Sequence, residues 1–220
     1  MRRVLSTISV LALTATGAFA ADIPRAAPAY KAPAVYAPVF TWTGAYIGIN
    51  GGYGWGNSEW TGYGTDVRTS GGLVGLTLGY NWQTGPWVFG LEGDIDWTNI
   101  RGRFVSAACP TGCETRNSWL GTARGRLGYA IDRVMPYVTG GLAVGDIRAT
   151  PAGLAGVRDT NAGWTVGGGI EAALAPNWTA KIEYLHVNLG DTGCSAAGCG
   201  VATKVDFRAH LVRGGVNYRF

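Results

Sequence analysis

Three sets of residues in this 220-residue chain have the types and spacing to do chemistry: four cysteines, two histidines and a set of charges at alternate positions. The cysteines come in two close pairs, Cys109 with Cys113 in "CPTGC" and Cys194 with Cys199 in "CSAAGC". Four thiolates suit a zinc ion, and two local pairs suit disulfides that each pin one loop tip. With no histidine near either pair and an oxidising compartment argued below, disulfides are the expected state. His186 and His210 are the two side chains whose ordinary pKa lies near neutrality, hence the available general bases. The charges are Glu92, Asp94, Asp96, Glu171 and Glu183 against Arg124, Arg126, Lys181, Arg213 and Arg219. Five acids oppose five bases, each set at every second position within its run. Glycine-rich phosphate chemistry is excluded: no G-x-G-x-x-G or Walker pattern joins a strand to a helix.

What must position these groups is a set of strands. Alternation runs through eight segments, near 43–56, 71–83, 87–98, 118–130, 136–147, 163–174, 178–190 and 204–220. In "WVFGLEGDIDW", Trp87, Phe89, Leu91, Ile95 and Trp97 take one side and Glu92, Asp94 and Asp96 the other. In "WTAKIEY", Trp178, Ala180, Ile182 and Tyr184 oppose Thr179, Lys181 and Glu183. The fifth run, "PYVTGGLAVG", does not declare its faces. Short gaps at 84–86, 131–135 and 175–177 alternate strictly with long ones at 57–70, 99–117, 148–162 and 190–203. Tight turns on one side and larger loops on the other predict an all-β, eight-stranded, antiparallel up-and-down transmembrane β-barrel.

A soluble lipocalin-like barrel alternates too, so the aromatics decide which face meets which solvent. Trp82, Trp87, Tyr129, Tyr137, Trp178 and Tyr218 fall near the short-turn ends, and Trp55, Trp97, Trp119, Trp164 and Phe207 near the long-loop ends. Two aromatic girdles around an aliphatic band are what two membrane interfaces select. The apolar face then meets lipid and the charged face fills the lumen. Eight strands leave a bore that side chains can fill. Buried charges must be paired, so the balanced set predicts a lumen plugged by ion pairs. The many glycines let strongly curved strands close so narrow a barrel.

The termini are read the same way. Residues 1–20, "MRRVLSTISVLALTATGAFA", have two arginines, a short apolar run and an A-x-A site, predicting a signal peptide cleaved between Ala20 and Ala21. The chain is thereby exported, and no later run of about 18 apolar residues predicts a membrane helix. Residues 21–40 carry Pro24, Pro28, Pro33 and Pro38 and read as an extended periplasmic linker, leaving 41–220 for the barrel. The net charge of +4 includes Arg2 and Arg3 of the signal peptide, so no nucleic-acid partner is implied.

At "ADIP" after the signal peptide, "WTGAYIGINGGYGWG", "PYVTGGLA" and the terminal "GGVNYRF", the chain resembles the alphaproteobacterial small outer-membrane immunogenic proteins, porin-family barrels similar to the OmpA transmembrane domain. The likeness covers essentially the whole chain. It implies the cell outer membrane as location, a monomeric surface antigen as form, and outer-membrane lipid and lipopolysaccharide as surroundings. Tyr218 and Phe220 then resemble the terminal signal read by the barrel-assembly machinery. Ala21 followed by Asp22 resembles the N-terminus through which members of the family are joined to peptidoglycan. Some barrels of this size are lipid-modifying enzymes, but the lipid A deacylases place a serine two residues after their histidine, where this chain has Asn188 and Val212. The expectation is therefore a structural protein of the envelope, not an enzyme, with no cofactor. A small diffusion pore and a haem-binding or adhesive surface protein are the alternatives.

Overall fold

The computed structural model describes residues 40–60, 65–106, 109–151, 157–194 and 203–220. Residues 1–39, and with them the signal peptide, Ala20, Ala21, Asp22 and the linker, lie outside the described residues. Eight strands follow one another: β1 Gly44–Trp60, β2 Thr65–Thr84, β3 Trp87–Ser106, β4 Cys109–Tyr129, β5 Val134–Pro151, β6 Val157–Ala173, β7 Trp178–Cys194 and β8 Thr203–Arg219. Each pairs antiparallel with the next, and β1 pairs with β8 to close the barrel. Closure matters in a bilayer because an open edge would leave backbone N–H and C=O groups with no water to bind.

The tight turns form as expected. Gly85 adopts φ 59° in the β2–β3 turn and Asp132 adopts φ 53° between β4 and β5. At the other end the strands overrun their expected limits. Alternation fades near positions 56, 98, 147 and 190, yet β1, β3, β5 and β7 continue to Trp60, Ser106, Pro151 and Cys194. Their 17–20 residues far exceed the roughly 9–11 that cross a bilayer. The ladder outlasts the pattern because water beyond the membrane imposes no face, while backbone hydrogen bonds still favour pairing. Register shifts between Trp97 and Ile100, Phe104 and Ser106, Arg116 and Leu120, and Asn188 and Asp191 break the period further. One consequence is a correction: Cys109 and Cys113 belong to β4 and Cys194 ends β7, instead of lying in long loops.

Inward and outward faces separate cleanly along the membrane span. Phe89, Leu91, Ile95, Val138, Leu142, Ile170 and Ile182 are exposed on the outside, the lipid side of a transmembrane barrel. The fifth run is resolved, with Tyr137, Thr139 and Ala143 inside and Val138 and Leu142 outside. Trp87 meets Tyr129 edge-on at 5.2 Å and Trp178 meets Tyr218 at 5.2 Å in the girdle near the tight turns. Two expected girdle residues are instead internal. Tyr137 and Phe207 are 5% and 2% exposed, because the register gives them the parity of the lumen.

Candidate functional site

The interior is built in three tiers. Nearest the tight turns, Trp42, Val88, Met135, Tyr137 and Ala173 pack together, with Phe40 against them. Trp42 is completely buried. Its backbone N–H donates to Gln83 Oε1 at 2.7 Å and its indole N–H to the Asp132 carbonyl at 3.3 Å, so the chain just before β1 is tied to the end of β2 and to the β4–β5 turn.

The middle tier holds the charges, and all ten expected lumen residues are buried. Arg124 donates to Glu92 Oε1, to Asp94 Oδ2 at 2.7 Å and to Glu183 Oε2 at 2.9 Å. Arg213 reaches Glu183 Oε1 at 2.7 Å, Asp96 Oδ2 at 2.9 Å and Asp94 Oδ1 at 3.0 Å. Two arginines from opposite walls, on β4 and β8, thus share Asp94 and Glu183. Arg126 binds Glu171 Oε2 at 2.5 Å, and Lys181 binds Glu92 Oε2 at 2.7 Å. Neutral donors finish the shell: Tyr46 Oη donates to Glu92 Oε2 at 2.8 Å, Tyr137 Oη to Glu183 Oε2 at 3.1 Å, and Thr77 Oγ1 to Asp94 Oδ1 at 2.8 Å. Thr179 and Asn217 donate to Glu171 Oε1 at 2.5 and 3.0 Å. Such dense pairing is what lets carboxylates and guanidinia persist away from water.

Glycine makes room for this tier. A Cβ on Gly75 would lie 2.0 Å from Asp96 Oδ1, and one on Gly90 2.7 Å from Arg126 Cγ. Both positions face inward, where any larger residue would displace a member of the network.

Arg219 departs from the balanced reading. Among the described residues it makes no ion-pair contact. It donates instead to the carbonyls of Thr41 and Thr43, and its guanidinium lies 4.7 Å from the Phe40 ring centre and 5.8 Å from that of Trp42. Five carboxylates therefore meet four cations in the network, while the fifth cation anchors the segment that covers the mouth. The pairing of opposite charges was readable from alternation. The role of Arg219 was not, since nothing in its spacing points to residues some 180 positions earlier.

Above Arg213 the interior turns apolar. Leu73, Ile100, Leu120, Ala143, Ile147, Leu185, Val187, Leu189, Phe207, Ala209 and Leu211 form one buried cluster. This corrects the expectation of a polar face along the whole lumen. Among the described residues, the charges lie between two mostly apolar tiers, with Thr98, Asn117 and Thr165 buried at the height of the upper one. Sequence reasoning missed Tyr46, Trp42 and the apolar tier. The signal for Tyr46 was its two-residue phase with Asn50 and the inward glycines of β1; for Leu211 it was the same phase with Arg213.

The remaining candidates lie elsewhere. His186 and His210 are a cross-strand pair on the outward face, away from the charges. Tyr218 is 37% and Phe220 75% exposed; the Phe220 N–H donates to Ala45 O at 3.0 Å, which ties the last residue to β1. Of the cysteines, Cys199 and the side chains of Cys109, Cys113 and Cys194 lie outside the described residues. Among the described residues, no group of three or more His, Cys, Asp or Glu is placed to hold a metal ion.

Comparison with known proteins agrees with this architecture. A family profile described as the outer membrane protein beta-barrel domain matches residues 9–220. The 31 kDa outer-membrane immunogenic protein of Brucella melitensis biotype 1 is 39% identical, with 96% of this chain and 97% of that protein aligned. The 25 kDa outer-membrane immunogenic protein of Brucella canis is 32% identical over 99% of this chain and 97% of its own. Among solved structures, Neisserial surface protein A superposes with a TM-score of 0.50 at 16% identity, covering 81% of this chain and 98% of that one, a likeness of fold.

Proposed function

The chain belongs to the outer membrane protein beta-barrel family, and from that premise we propose that its work is structural: a non-conducting, non-enzymatic barrel that maintains the envelope and presents its outer strand ends at the cell surface. The observation that carries this reading is the filled interior, in which densely paired charges lie between two mostly apolar tiers. A pore needs a continuous wet path, and a catalyst needs a reactive group open to substrate; the lumen charges offer neither. Planar-bilayer recording of the refolded protein tests it, with a flat baseline expected. Stable unitary conductance would replace the structural reading with a diffusion pore.

The partners follow from position. Outward, Arg101 of β3 pairs in register with Arg116 of β4, and Arg116 with Arg148 of β5. Like charges directly opposite one another destabilise a sheet, so this row calls for an anionic neighbour, and the phosphates of outer-leaflet lipopolysaccharide are the counter-charge at that height. Asp146, 3.4 Å from Arg148, is one anion within that row. Inward, an N-terminus cleaved at Ala21 would lie at the end of about twenty residues of proline-punctuated linker, with a reach of up to roughly 60 Å. A free α-amine there, partly unprotonated near neutrality, is a competent acceptor for a peptidoglycan acyl group. The tether is tested on boiled, muramidase-digested sacculi, where mass spectrometry should find the Ala21 peptide carrying a muropeptide. A peptide with only a free amine, together with sacculus association unchanged by Asp22→Lys, would leave the protein an untethered barrel.

A further inference from the structure

Near the outer girdle, four rings stand side by side on the outward face of four neighbouring strands: Trp164 of β6, His186 of β7, His210 of β8 and Trp55 of β1. His186 lies directly opposite His210, and His210 directly opposite Trp55. Successive ring centres are 5.5, 4.8 and 6.1 Å apart, and Trp55 is nearly parallel to His210, at 22°. Both imidazoles are half-buried by this packing. Tyrosine would fill a girdle position as well as histidine, and a row of packed rings alone would not set the direction of the ring nitrogens.

Here that direction is specific. His186 Nδ1 faces His210 Nδ1 at 3.5 Å, and Tyr184 Oη lies 2.7 Å from the same His210 nitrogen. Three polar atoms converge, and a proton between the two nitrogens is one way to satisfy them. A metal ion is another. Imidazole nitrogens bind zinc at about 2.0–2.1 Å, and two nitrogens at that distance that lie 3.5 Å apart subtend roughly 115–120° at the ion, close to a tetrahedral angle. The strands already hold them at that separation, so little ordering remains to be done on binding. The nearby cation, Arg208, is balanced by Asp206 at 3.1 Å.

We infer that His186 Nδ1 and His210 Nδ1 form a bidentate site for a divalent transition-metal ion on the outward rim of the barrel. Imidazole ligands suit copper, nickel and zinc, and the order of affinities places Cu2+ first. Each ring binds as the neutral tautomer with its proton on Nε2, so no proton need leave either imidazole. Tyr184 gives up its hydrogen bond to His210 when the ion takes that lone pair, and its role is to hold the ring in the binding rotamer. The remaining coordination positions face outward, open to water or lipid phosphate.

The site is independent of whether the lumen conducts. The test is titration of the mature chain, folded in zwitterionic detergent with all four cysteines replaced by serine, with Cu2+ near neutral pH. Electron paramagnetic resonance should show one ion per chain with hyperfine structure from two imidazole nitrogens. Tryptophan fluorescence should fall saturably in the same range, because Trp55 and Trp164 flank the pair. His186→Gln and His210→Gln keep a polar side chain in the girdle; each should lose one nitrogen from the spectrum and weaken binding by roughly tenfold or more as the chelate becomes monodentate. Circular dichroism confirms that each variant is folded. A folded double variant that binds Cu2+ as tightly as the parent, or a parent spectrum without imidazole nitrogen, would overturn the site.

Discussion

Arg213 and Leu211 are successive inward residues of β8, and they belong to different kinds of interior. Arg213 is held by Asp94, Asp96 and Glu183 from two other strands, whereas Leu211 is held only by the shape of the cluster around Leu185, Ile100 and Phe207. Both are essentially inaccessible, at 1% and 0% exposure. The same backbone alternation buries both, so alternation decides which residues go inside and not how they are stabilised there. In the charge tier each member is specified by its partners. In the apolar tier each is specified by volume, and neighbours can adjust.

That contrast is broken most forcefully at Arg124, which bridges three carboxylates. Arg124→Leu leaves Glu92, Asp94 and Glu183 short of a cation and should cost about 3–5 kcal/mol, the range for stranding a buried charge. The measurement is a urea titration in lipid vesicles. A change below about 1 kcal/mol would mean that water reaches the tier and screens it.

Leu211→Ala should cost about 2–5 kcal/mol, depending on how far the cluster collapses into the space. Its distinguishing mark is the response to salt: added salt should leave the cost unchanged, because no charge is stranded. A salt-dependent cost would show that the apolar tier also seals the charges below it.

The outside of the wall gives the next comparison. Leu91→Arg or Ile170→Arg places a cation against hydrocarbon and should cost about 2–4 kcal/mol near mid-membrane. An unchanged urea midpoint and slope would refute the assignment of those faces to lipid.

How far the sequence foretold this follows from the same physics. The membrane span was legible because lipid outside and charge inside force opposite chemistries onto successive residues, as in Leu91, Glu92, Gly93 and Asp94. Near Leu211 the signal vanishes, since an apolar residue inside and one outside look alike and only register separates them. Tyr137 and Phe207 were misplaced for that reason, aromatic rings being equally at home in a girdle and in a core. The outer strand ends were missed because backbone pairing continues there without an alternating pattern of apolar and polar residues. Trp42 was invisible as a closure because its contacts with Gln83 and Asp132 are long-range, and no local pattern encodes them.

The smallest effect is expected where the charge tier can be made to resemble the apolar one. Arg126 and Glu171 are the most separable pair: within the described ion pairs Glu171 meets only Arg126, and Arg126 otherwise reaches Glu92 at 3.5 Å. Arg126 also lies 4.2 Å from the Tyr137 ring centre and borders the lower apolar tier. Removing one partner strands the other, so Arg126→Leu and Glu171→Leu should each cost about 3–5 kcal/mol. Removing both leaves two leucines beside Met135 and Tyr137, with Thr179 and Asn217 losing one shared acceptor at about 1–3 kcal/mol. The double variant should therefore lie closer to the parent than either single variant does. Strictly additive costs in the vesicle titration would mean that the two residues do not act as a pair. The charge tier would then be better described as separately solvated groups, and the contrast between Arg213 and Leu211 would lose its physical basis.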